Sequence, residues 1–167
     1  MNLQLLAAEE EIDRSPPIAI LLSAESFLKS AQHLRNGTVS GNLKLRFEMP
    51  VYYLYSHAIE LALKSFLRTK GFDMKQLSSR KYGHQLNVLW DECLKHGLKL
   101  HPIRRDCTEQ LIELLDPFAT RYEFRYVITG FKQLPQLHAV DAEVTSLIAS
   151  VKLDVETHLR QGNSVTP

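Results

Sequence analysis

A histidine, an acid and a lysine stand inside a largely apolar stretch of this 167-residue chain: His57, Glu60 and Lys64 in VYYLYSHAIELALKSFLRTK. Spaced three and four residues apart, they share one side of a helix, with the acid N-terminal to the base in the favourable order. Charged groups in such a setting require partners, because an unpaired buried charge is costly. Two readings stand at this point. The triplet lines a cleft or a dimer interface, or it forms an internal salt bridge with the lysine tip at the surface. His57 and Glu60 would face one ion together, but a metal site in a helical bundle draws carboxylate and imidazole ligands from several helices. No repeated Glu-x-x-His occurs, so no metal is expected.

Two further places bear chemistry. His84 follows Tyr82-Gly83, and an imidazole there is poised to move a proton near neutral pH or to make a local hydrogen bond and pack. Arg121, Tyr122, Glu123, Arg125 and Tyr126 make the densest polar–aromatic cluster. Arginine and tyrosine suit phosphate contact and base stacking, a protein interface, or an Arg–Glu network tying a loop to the bundle. Arg104-Arg105 stands at a helix start, where the dipole disfavours cations, and is read as an anion contact or a solvated face. There is no Gly-rich phosphate loop, Cys-x-x-Cys pair or Gly-x-Ser-x-Gly elbow. No cofactor is expected.

The elements that must position these residues are helical throughout. Residues 1–14 read as an acidic arm. Ser15-Pro16-Pro17 starts a helix that carries Ile18, Leu21, Leu22, Phe27, Leu28, Ala31 and Leu34, ending at Arg35 before Asn36-Gly37. Pro50 opens the central helix and Gly71 closes it. Its apolar residues cover most of its circumference, as befits the middle of a bundle. A polar connection, 72–82, precedes a helix from Gly83 to His96, stopped by Gly97. Pro102 opens the next, with Ile103, Cys107, Leu111, Leu114, Leu115 and Phe118 in phase, and Pro117 is expected to kink or end it. The segment 121–135 fits a short helical continuation or an extended stretch. A last helix spans about 139–159, and 161–167 reads as a flexible tail. The expected architecture is all-α, an up-and-down bundle of about five helices forming a single domain over 15–160.

Composition bounds the function. Hydrophobic residues make up 44% of the chain, and 20 basic residues meet 19 acidic ones, so no bulk charge calls for nucleic acid or an anionic membrane. The N-terminus lacks a signal-peptide pattern and no run reaches the ~18 apolar residues of a span, so a cytoplasmic protein without membrane contact is expected. Cys93 and Cys107 fall on apolar stripes and are expected to be buried free thiols.

The strings HAIELALKSFLRTKG, GHQLNVLWDECLKHG and RYEFRYVITGFKQLP, over about residues 50–135, resemble HEPN-domain proteins. The resemblance implies a helical bundle that commonly homodimerises and acts in RNA cleavage, toxin–antitoxin systems or defence. In its nuclease members four to six intervening residues separate an arginine from the histidine that follows it. No arginine here has a histidine at that spacing. Arg121 is the best positional match, with Tyr126 where the nearest histidine would stand, and tyrosine (solution pKa ~10) is a poor proton acceptor at neutral pH. The expectation is a homodimeric module that binds a protein partner or RNA without cutting it. The alternative is a divergent, metal-independent endoribonuclease or toxin using Arg121, Tyr126 and His84.

Overall fold

A computed structural model describes residues 15–121, 123 and 134–163, with the side chains of 162 and 163 excepted. The described residues form six helices and no strand: α1 (Pro17–Val39), α2 (Met49–Thr69), α3 (Met74–Leu77), α4 (Leu86–Lys95), α5 (Pro102–Thr120) and α6 (Leu137–Asn163). The chain is an all-α bundle of five principal helices and one short one. No helix among the described residues is long and apolar enough to cross a membrane.

α2 is the hub. It packs against α1, α4 and α6, while α5 closes the other side over α4 and α6. Its interior residues Tyr55, Ala58, Ile59, Ala62, Leu63, Phe66 and Leu67 point in several directions and are all fully buried. A helix apolar around most of its circumference has no solvent face to lose, so it takes the centre. The core around it collects Leu21 and Leu28 from α1, Leu86, Leu89 and Trp90 from α4, Ile112 and Leu115 from α5, and Val144, Leu147 and Val151 from α6.

Several boundaries differ from the sequence expectation, each for a local reason. α1 does not stop before Asn36-Gly37 but runs to Val39. Gly37 serves close approach instead of termination: a Cβ there would lie 3.1 Å from the Leu43 side chain, which folds back over it, and the Leu43 amide donates to the Gly37 carbonyl at 2.9 Å. The connection after α2 contains α3, nucleated by a capping box in which Asp73 accepts from the Gln76 amide at 2.6 Å and Gln76 returns a bond to Asp73. α4 begins at Leu86, so Gly83 and His84 precede it. α5 continues through Pro117 to Thr120. A proline deletes one amide donor, and the residue whose carbonyl loses that donor, Glu113, is exposed. α6 extends to Asn163, past its expected end at about 159. Residues 1–14, the expected arm, lie outside the described residues.

The phase of α5 is a correction. Thr108, Leu111, Ile112 and Leu115 face the core, while Ile103 (69% exposed), Leu114 and Cys107 face outward. Cys107 is therefore not a buried thiol. The buried stripe lies about a quarter turn from the expected one because Thr108 is inside: its hydroxyl lies 3.4 Å from Glu143 of α6. A hydroxyl with a partner costs little to bury, and it displaces the more apolar cysteine from the core side.

Candidate functional site

Glu60 anchors the most closely connected polar cluster. The middle of α2 carries it into the interior at 5% exposure, beside Lys64 at 7%. One turn separates them, so Lys64 Nζ donates to Glu60 Oε1 at 2.6 Å. The same ammonium donates to the Gly83 carbonyl at 2.7 Å. Glu60 Oε2 faces two imidazoles, with His84 Nδ1 at 3.0 Å and His57 Nδ1 at 3.6 Å. His57 is fixed from its other sides, edge-on to Phe27 at 4.4 Å and stacked with Tyr53 at 6.0 Å between centroids.

Burial alone would push the Glu60 carboxyl up. The neighbouring His57 imidazole, the Lys64 charge and hydrogen bond and the His84 hydrogen bond override it, and hold the group down at about 2. The carboxylate is ionised at any physiological pH and is saturated by three cation-forming partners. A carboxylate at Nδ1 fixes the ring orientation of His84 and favours the tautomer whose Nε2 accepts a proton.

The cluster reaches from α2 to the loop before α4, and on to the end of α5, where Thr120 Oγ1 lies 3.5 Å from the His84 carbonyl. Arg121 caps α5 one residue later, 74% exposed, with NH1 3.8 Å from Glu123. His84 and the start of the Arg121 segment are thus neighbours. Tyr122, Arg125 and Tyr126 lie outside the described residues. Arg104 is spent on Glu143 at 2.5 Å, which answers its unfavourable position at a helix start. Among the described residues, no group of three or more His, Cys, Asp or Glu side chains is arranged to hold a metal ion.

A second network escapes sequence inspection. Asp141, in the first turns of α6, accepts from Gln32 at 2.8 Å and from Tyr55 at 3.1 Å, and pairs with Arg35 at 3.3 Å. Burial first, and the Asp141 charge second, push the Tyr55 phenol well up. Tyr52 donates to the Pro135 carbonyl at 2.6 Å and is raised to about 12, by burial and then by Glu48. The only signal in the sequence was Asp141 standing between Val140 and Val144, on the flank of an apolar stripe.

Fold and cluster together define a helical bundle whose buried acid–base group is held by its own chain. No family model matches this chain, and no solved structure matches it. Over 96 residues, 58% of its length, it is 29% identical to focadhesin of Homo sapiens. The chain's matched part spans 5% of that protein.

Proposed function

We propose that the chain is a HEPN-like interaction module: a homodimeric helical bundle that binds a protein partner or RNA without cutting it. One observation carries the reading. Glu60 and Lys64, from the first string of the resemblance, and Gly83 and His84, from the second, meet in a single partly buried cluster whose groups are bonded to each other. Residues so engaged support the bundle and leave binding to its surface. A stress, toxin–antitoxin or defence setting and a cytoplasmic location accord with this reading. Size-exclusion chromatography with light scattering tests it. A dimer of about twice the 19.1 kDa chain mass is expected, and a strict monomer at high concentration refutes the homodimer.

A second reading is favoured by the Glu60–His84 contact. In a divergent metal-independent endoribonuclease, His84 moves the proton, Glu60 orients it and Arg121 holds the phosphate. Purified protein incubated with total RNA and chelator tests this. Cleavage lost in both Arg121→Ala and His84→Ala supports it. No cleavage, or equal cleavage by the variants, removes it.

A further inference from the structure

The near-neutral balance of the whole chain conceals an uneven distribution. Residues 68–99 hold seven of the 20 basic residues but three of the 19 acidic ones, which leaves this stretch at +4 and the remainder at −3. The fold draws much of that charge to one surface. Lys81, Lys95 and His96 surround the single carboxylate of Glu92, at 4.0, 3.9 and 3.4 Å. One carboxylate cannot neutralise two ammonium groups, and the Lys81 and Lys95 side chains are 64% and 68% exposed. Phe72 joins the end of α2 to the same surface, meeting the Tyr82 and His96 rings edge-on at 6.0 and 5.1 Å. It brings exposed Lys70 with it; Arg80 and Lys99 are exposed beside Lys81 and just beyond α4.

We propose that this end of the bundle, built from the α2 terminus, the loop before α4 and the α4 terminus, docks an acidic segment of a partner polypeptide. The proposal rests on the interaction-module reading and gives its partner a chemistry. Charge complementarity carries it: a cluster of cations in excess of the carboxylates beside it steers and holds an opposite charge. One feature favours carboxylates over a nucleic-acid strand. Single-stranded nucleic acid is held by open aromatic faces between cations, but Tyr82 is buried and Phe72 turns its ring to Tyr82 and His96. The cations are mainly lysines: 70, 75, 81, 95 and 99. Arg68 is turned to backbone carbonyls of Ser15 and Phe72 at 3.2 and 2.8 Å.

The test is fluorescence anisotropy on the full chain with two labelled probes, a ten-residue oligoglutamate and a ten-nucleotide oligouridylate, at 50 and 200 mM salt. The peptide is expected to bind, and to weaken about tenfold across that salt range as screening shortens the field. Lys81→Gln/Lys95→Gln/Lys99→Gln should weaken it at least about tenfold, and Lys29→Gln/Lys44→Gln, outside the stretch, should leave it unchanged. No peptide binding at 50 mM salt, equal binding by the triple variant, or oligouridylate binding more than about tenfold tighter than the peptide overturns the proposal. Light scattering on the same samples reports the dimer separately, so failure of the docking surface and failure of the module reading are distinct results.

Discussion

Replacing Glu60 by glutamine removes one negative charge from the interior and keeps nearly the same volume. Its cost follows from the cluster. Lys64, 7% exposed, loses its ionic partner and retains the Gly83 carbonyl. Breaking a buried pair from one side costs about 3–5 kcal/mol, because the remaining charge stays buried. An independent route gives a similar figure. The Glu60 carboxyl is held at about 2 in the fold against 4.5 in the unfolded chain, a difference equivalent to about 3 kcal/mol. The sign is fixed by the direction: a carboxyl lowered by folding stabilises fully above its unfolded value. That contribution fades as pH falls from about 4.5 to about 2. Urea unfolding followed by helical circular dichroism, at pH 7 and across pH 5 to 2, measures both. Glu60→Gln is expected to lose about 3 kcal/mol at pH 7 and to fall less steeply in acid than the parent chain. A variant within about 0.5 kcal/mol of the parent at pH 7, with the same acid slope, would refute the argument that the carboxylate holds the cluster.

The other predictions concern the bundle. Cys107 should react with a thiol reagent in the native state. Cys93, buried against the Leu63 carbonyl at 3.4 Å with its thiol pushed up by burial, should react only after unfolding, so one fast thiol and one slow thiol are expected by absorbance. Asp141→Ala should cost about 1–3 kcal/mol in urea unfolding, since Gln32, Tyr55 and Arg35 lose a common acceptor. Gly97 has φ +85°, so Gly97→Ala should lower stability by about 1–2 kcal/mol even though nothing lies within 4 Å of the added Cβ. A neutral Gly97 variant in thermal melts would show that the α4–α5 turn relaxes freely.

Much of the bundle was legible from periodicity and punctuation. Prolines at 17, 50 and 102 fall in the first turns of their helices, and Gly71 and Gly97 follow the ends of theirs with positive φ. These features act over one turn of chain, where local sterics decide the conformation. The central role of α2 was legible for the same reason: a helix without a polar face fits only inside. The pairing of Glu60 with Lys64 is likewise local, one turn apart on one helix.

Other outcomes depended on what lies across the gap. Which side of α5 faces inward turned on Glu143 being placed beside Thr108, and no pattern within α5 contains that information. His84 sits 24 residues from Glu60, and only the folding of the loop before α4 against α2 puts its Nδ1 at 3.0 Å. The surface at the far end shows the same division. The cations between 68 and 99 are countable in the chain, but their gathering around one carboxylate needed the ends of α2 and α4 to meet. Local spacing therefore settled the helices and the Glu60–Lys64 pair. The tertiary packing decided which charges are compensated and which face the solvent, because Coulomb interactions depend on distance through space and not on separation along the chain.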